Sequence, residues 1–277
     1  MGKCIVITGG GGVLCSFFAR ALAADGHQIA LLNRTLEKGQ RVADDIVKDG
    51  GTACAYRADV TSLSDLQNAH RQILADFGPC DILINGAGGN HPSCTTAKET
   101  ATRRDAQSVG PQGETTFFTL SQQGFEQVFG LNMIGTVLPT QVFGSDMVGR
   151  KGCSVVNISS MAAIRPLTKT PAYGAAKAAV SNFTAWLAVY LSAQGIRVNA
   201  IAPGFFVTEQ NRHLLFEANG EPAPRTEKIL RSTPMARFGQ PDELIGTLRW
   251  LIDERASGFV TGITVPVDGG FSAYSGV

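Results

Sequence analysis

The stretch C-I-V-I-T-G-G-G-G-V-L-C, Cys4 to Cys15, decides the fold. A short apolar, β-prone run enters four consecutive glycines, and an amphipathic segment of helical spacing follows, over 15–25. A strand that turns through glycine into a helix gathers backbone N–H groups and the positive end of the helix dipole at one point. The absence of side chains there lets a pyrophosphate approach. Alone, such a run is a flexible turn; as the first strand-to-helix turn of a βαβ unit it reads as a dinucleotide-binding loop.

Outward from this turn, β-rich apolar runs recur at 29–33, 53–57, 81–85, 154–158, 197–201 and 263–267. They do not alternate with polar residues, which suits strands buried on both faces. Helix-length amphipathic segments separate them, among them 36–48, 63–77 and 172–194. Strand alternating with helix implies right-handed crossovers. The expectation is an α/β fold: a single doubly wound domain over 1–277, with a seven-stranded parallel sheet and helices on both faces. Two stretches break the rhythm. Residues 89–122 are rich in Thr, Gln and Gly, and 205–240 carry Pro222, Pro224, Pro234 and Gly220. They read as an insertion and a substrate loop at the carboxyl ends of strands.

Composition narrows the function. The chain has 277 residues, 44% hydrophobic and 17% charged, with a formal net charge of +1, which supports a large core. Lys and Arg are scattered, so the basic stripe of a nucleic-acid binder is missing. No apolar run reaches the roughly 18–20 residues of a membrane span, and the apolar strand begins by Cys4, so a cytoplasmic protein without membrane partner is expected. The six cysteines stand singly and read as reduced core thiols; the four histidines are dispersed, and no metal site is expected.

Tyr173 and Lys177, in Y-G-A-A-K, are four residues apart and share a helix face. An ammonium beside a phenol should lower the tyrosine pKa toward working pH, which suits general acid–base work. Ser160, thirteen residues before Tyr173 and just past a strand, offers a hydroxyl to hold a substrate oxygen. At the end of the second strand, Asn33-Arg34 replaces the acidic residue that would bond the ribose of NAD. A guanidinium there favours the 2′-phosphate of NADP(H), with NAD(H) also accepted.

In order along the chain stand the glycine turn, Asp59-Val60, N-G-A-G at 85–88, Asn132 in G-L-N-M-I-G, I-S-S at 158–160, Y-G-A-A-K at 173–177, R-V-N-A-I-A-P-G at 197–204 and V-D-G-G at 267–270. With these the chain resembles the short-chain dehydrogenase/reductase family, whose fold is of Rossmann type, nearly end to end. The resemblance implies a carbonyl/alcohol oxidoreductase with Tyr173 as general acid/base and Ser160 holding the substrate oxygen. It also implies Lys177 on the nicotinamide ribose and Asn132 holding a relay water. Cofactor contacts carried over by position are Gly9, Gly11, Gly12, Val13, Leu14, Asn33, Arg34, Asp59, Val60, Asn85, Ala87, Gly88, Tyr173, Lys177, Pro203, Gly204, Phe206 and Thr208. Two departures stand out: the family pattern T-G-x-x-x-G-x-G would put glycine at Val13 and Cys15, and N-G-A-G replaces the commoner N-N-A-G.

G-G-G-G-V-L-C, N-G-A-G-G-N-H-P at 85–92, A-P-G-F-F-V-T-E-Q-N-R at 202–212 and the tail D-G-G-F-S-A-Y-S-G-V are similar to the D-mannonate oxidoreductase (fructuronate reductase) subgroup. That likeness implies a sugar-acid substrate and interconversion of D-fructuronate and D-mannonate, while the wider family resemblance implies a homotetramer. The carboxylate pocket would draw on Asn90, His91, Arg165 and Arg212, with Ser160 on the reacting oxygen of the substrate. Rival readings are a reductase of another sugar acid, keto acid or polyol, and a catalytically silent NADP(H)-binding sensor. The second gives no reason for Asn132, Ser160, Tyr173 and Lys177 to occur together.

Overall fold

The computed structural model describes residues 2–106, 114–207, 215 and 224–276. The strands are β1 (Cys4–Thr8), β2 (Gln28–Asn33), β3 (Thr52–Arg57), β4 (Ile82–Asn85), β5 (Ser154–Ile158), β6 (Arg197–Pro203) and β7 (Thr264–Val267). They form one sheet in the order β3-β2-β1-β4-β5-β6-β7, and every neighbouring pair is parallel. The winding reverses between β1 and β4, so the crevice for a ligand opens at the carboxyl ends of these two strands.

Helices cover both faces. Ile5 and Ile7 of β1 point to a core shared with α1 (Val13–Ala24) and α2 (Leu36–Lys48), while Cys4 and Val6 point to the opposite core with α3 (Leu63–Asp76). This is the period-two alternation of a strand sandwiched between helix layers. In α2 the buried positions Gly39, Val42, Ala43 and Ile46 repeat at helical spacing, with charged residues between them. Ser62 caps α3, accepting from the Asp65 N–H at 3.3 Å.

Two helices follow the insertion: α4 (Gln122–Phe129) and α5 (Gly135–Gly144), joined by a π-helical turn over Gly130–Ile134. The long α6 (Pro171–Leu191) starts with proline in its first turn, where the missing N–H costs nothing. The stretch expected as a substrate loop contains α7 (Pro224–Ser232), and α8 (Ile245–Ile252) packs Leu248, Leu251 and Ile252 into the core. The described residues of the insertion carry short turns at Pro92–Cys94, Arg103–Ala106 and Phe117–Thr119. All six cysteines are free thiols, five of them buried. Among the described residues no helix is long and apolar enough to cross a membrane.

Candidate active site

The glycine turn is fixed from both sides. Gly9 adopts φ +65° and donates to the Leu32 carbonyl at 2.8 Å, and a side chain on it would come within 3.0 Å of Ala87 Cα. Gly11 donates to Asn33 Oδ1 at 2.9 Å, and a side chain there would collide with the Lys38 carbonyl at the start of α2. Thr8 Oγ1 accepts from both Gly86 and Ala87 N–H at 3.1 Å, tying β1 to the N-G-A-G segment. Gly12 is the N-cap of α1; no side chain caps that helix, and Val13 and Leu14 open a first turn without an acidic residue. Uncapped N–H groups in a side-chain-free cradle fit the pyrophosphate of a dinucleotide. A groove of about 670 Å³ runs from Gly11–Val13 past Arg20, Lys38 and Arg41.

Nearby, Asn33 is buried and its carboxamide oxygen is committed to the loop, while Arg34 is exposed. Burial pushes the Asp59 carboxyl upward, but hydrogen bonds from Thr61 and the charge of Arg34 outweigh this, so its pKa lies below the ordinary value. Val60 is buried against Gly135.

Asn132, Ser160, Tyr173 and Lys177 converge at the carboxyl ends of β4 and β5. The π turn places Asn132 so that its side chain donates to the Gly89 carbonyl (2.7 Å) and the Val128 carbonyl (2.8 Å) and accepts from Gly89 N–H (3.1 Å). Such an inserted residue re-aims a helix, and π turns recur at functional sites. A side chain on Gly88 would meet Asn132 Oδ1 at 2.7 Å and Lys177 Nζ at 2.9 Å, so glycine lets the strand end pass between the two. Lys177 Nζ donates to the Ile158 carbonyl at 2.7 Å and lies 5.9 Å from the Tyr173 ring centroid. Ser160 opens a short turn, accepts from Ala162 N–H at 3.1 Å and hydrogen-bonds Tyr173.

The charges differ from the sequence expectation in one respect. Burial raises the Tyr173 pKa, against the lowering effect of the Ser160 hydrogen bond, so the phenol is not poised low by Lys177. Lys177 is itself desolvated, and burial lowers its pKa to about 8. Removing both groups from water favours the neutral form of each, which outweighs the attraction expected from helical spacing alone.

The other expected residues divide. Asn85 and Pro203 are buried at strand ends, and Gly204 packs so close to Asp268 that a side chain would come within 2.6 Å. Phe206 is buried and pairs with Gly239 as an isolated bridge. Asn90 donates to Thr95 Oγ1 at 2.8 Å, and His91 Nδ1 lies 2.7 Å from Ser93 Oγ, capping a turn: both are exposed and occupied locally. Arg165 is exposed, and its Nε donates to the Ser272 carbonyl at 2.9 Å. Thr208 and Arg212 lie outside the described residues.

Some residues that position the site were not anticipated. Ser159 holds α6 against β5 through the Lys177 carbonyl at 3.1 Å and Ser181 Oγ at 2.7 Å. A buried polar column links the catalytic helices beneath the sheet. Thr136 Oγ1 donates to the Asn132 carbonyl and Thr140 Oγ1 to the Thr136 carbonyl. Asn85 Nδ2 donates to Thr140 Oγ1 and Asn157 Oδ1, and Asn157 Nδ2 to Thr184 Oγ1 on α6. Polar residues inside apolar strands, at Asn85 and Asn157, are the sequence signal that could have found it.

A side-chain-free anion cradle at the switch point and a Ser–Tyr–Lys–Asn cluster facing it define a nucleotide-dependent oxidoreductase. The short chain dehydrogenase model matches residues 3–217, and the chain belongs to that family. A solved structure from Haemophilus influenza, provisionally called a D-mannonate oxidoreductase and holding bound NAD, is 55% identical with a TM-score of 0.95, covering 99% of this chain and 96% of that one. An uncharacterized oxidoreductase of Bacillus subtilis, UxuB, is 53% identical over 100% of this chain and 97% of its own. A gluconate 5-dehydrogenase from Burkholderia cenocepacia, in complex with NADP and tartrate, is 28% identical with a TM-score of 0.81, covering 99% and 96%. The chain is therefore an oxidoreductase of a family that uses NAD or NADP on small-molecule substrates.

Proposed function

We propose that the protein interconverts D-fructuronate and D-mannonate, with Tyr173 as general acid/base. The observation that carries the chemistry is the meeting of Asn132 and Lys177 at Gly88, where a side chain would strike both, with Lys177 beside the Tyr173 ring and Tyr173 hydrogen-bonded to Ser160. The nicotinamide, when bound, supplies or accepts the hydride. In the reducing direction Tyr173 Oη gives its proton to the substrate oxygen as the carbonyl carbon is reduced. Ser160 holds that oxygen by a hydrogen bond, so that charge developing on it meets a donor already in place. Lys177, anchored on the Ile158 carbonyl, sets the ribose and faces the Tyr173 ring. Asn132, anchored on Gly89, keeps the strand end in register and holds the relay water.

Reduction, with the hydride delivered to C5, rests on the likeness to the provisional D-mannonate oxidoreductase; the likeness to a gluconate 5-dehydrogenase supports a sugar-acid substrate more broadly. Arg34 and Lys38, both exposed beside the glycine turn with Asn33 turned inward, favour NADP(H), and NAD(H) is also accepted. The enzyme is read as a cytoplasmic homotetramer, a state supported by an aromatic stack along α6 in which Trp186 and Tyr190 are exposed beside a half-buried Phe183. The test follows reduced-nicotinamide absorbance with D-fructuronate, 5-keto-D-gluconate and D-fructose. A kcat/KM for D-fructuronate at least about tenfold above the others is expected. Preference for 5-keto-D-gluconate would move the assignment to that acid, and equal rates with D-fructose would overturn a sugar-acid substrate.

A further inference from the structure

Beyond the loop that carries Ser160 opens a cleft of about 530 Å³, the size of a small-molecule site. One wall is the loop ending at Lys169, four residues before Tyr173; the other is α7, with Arg225 and Lys228. Phe205, next to Gly204, and Phe271 form its apolar floor, edge to face with centroids 5.5 Å apart. The one acidic side chain on the described lining is Glu99, and it already pairs with Lys228 at 3.0 Å. Lys169 and Arg225 have no ion pair and no side-chain hydrogen bond among the described residues. Among the described residues the cleft thus carries two uncompensated cations on opposite walls above an aromatic floor.

The backbone at Lys169 adds an independent observation. Its φ is +70°, one of two positive values at non-glycine residues among the described ones, and the insertion holds it there through Thr96 N–H donating to the Lys169 carbonyl at 2.9 Å. A side chain kept in a conformation that favours glycine is retained where its position matters, and such outliers cluster at ligand clamps.

We propose that Lys169 and Arg225 form the carboxylate clamp of the substrate cleft and select acyclic hydroxy acids over neutral polyols. This rests on the sugar-acid reading above and replaces the clamp expected from Asn90, His91 and Arg165, whose side chains are engaged elsewhere. Two cations facing across the cleft hold an anionic end, while the Phe205–Phe271 floor receives the carbon chain. The carbonyl end is thereby directed back toward Ser160 and Tyr173.

Calorimetric titration of the full chain with NADP tests the clamp using D-gluconate and D-glucitol, which share a carbon skeleton and differ by the carboxylate. The wild type should bind D-gluconate at least tenfold more tightly than D-glucitol. Lys169→Met and Arg225→Met should each remove most of that preference, Lys169→Arg should keep it, and NADP and D-glucitol affinities should stay unchanged. Equal affinities in the wild type, or a preference that survives in both Met variants, overturns the clamp. If the preference depends on these residues but D-fructuronate is not reduced, the clamp stands and the substrate assignment falls. If D-fructuronate is reduced with the same KM in wild type and both Met variants, the reverse holds.

Discussion

Cys15 fills the space that a side chain at Gly86 would need: a methyl group there would lie on the Cys15 sulfur. The family pattern has glycine at the first position and commonly asparagine at the second, so two departures that look independent in the sequence are one exchange of volume. The thiol sits in the cofactor-side core, and burial pushes its pKa up to about 12, so it acts there as a small apolar filler.

Gly86→Ala should therefore destabilise the fold by about 1–3 kcal/mol, the usual cost of overpacking. Adding Cys15→Gly should restore most of it. Urea denaturation of the two single variants and the double variant measures the coupling, and additive effects would show that the two positions are independent.

Tyr173→Phe removes the proton donor and leaves the glycine cradle untouched, so turnover should vanish while nucleotide binding, followed by fluorescence titration, stays within about threefold. Ser160→Ala should lower kcat by about 10²–10³, as for one lost donor to a developing oxyanion. Near-normal turnover in the Phe variant would remove Tyr173 from the mechanism.

Lys177 sets a pH limit. Its pKa is lowered to about 8, so the ammonium form declines above that pH, and kcat/KM should fall along a limb centred near it. The folded chain holds this proton less tightly than the unfolded chain, whose lysine titrates near 10.5. The penalty for burying the charge is complete below about pH 8 and is relieved as pH rises toward 10.5. Lys177→Met should thus be inactive yet more stable at pH 7, by on the order of 1–3 kcal/mol, a gain that shrinks by pH 10. A Met variant less stable than wild type at pH 7 would contradict this balance.

Asn33 supports the glycine turn through Gly11, and an aspartate can accept the same bond. Asn33→Asp with Arg34→Ala should keep the fold and shift the ratio of kcat/KM for NADPH over NADH toward NADH by tenfold or more, since charge-assisted phosphate contacts have no counterpart on a free hydroxyl. An unchanged ratio would place the 2′-phosphate elsewhere, with Lys38 the next residue to replace.

The fold was legible because its signal is periodic. Seven apolar runs and the helices expected over 36–48 and 63–77 come within a residue or two of the observed elements, although the edge strands β3 and β7 are only partly buried. The helices flanking Asn132 were less visible, since Pro139 inside α5 and glycines at 130 and 135 mask the helical pattern that packing restores. Within the candidate site, spacing placed Tyr173 and Lys177 on one face but missed the sign of the tyrosine shift, because desolvation depends on what surrounds the helix and not on the helix. Local polar residues such as Asn90 and His91 were read outward, whereas the structure spends them on their own turn. Lys169 gave no sequence signal: a single loop lysine acquires meaning only through its backbone angle and the opposite wall.

The polar column from Asn132 through Thr136, Thr140, Asn85 and Asn157 to Thr184 makes the two sides of the reaction centre mechanically inseparable. Fraying α5 would strand unpaired donors in the dry centre of the sheet and loosen α6 at the same moment, and neither helix can be released cheaply alone. Heat should therefore silence this enzyme only when the whole sheet gives way, with the residual-rate curve overlaying the melting curve.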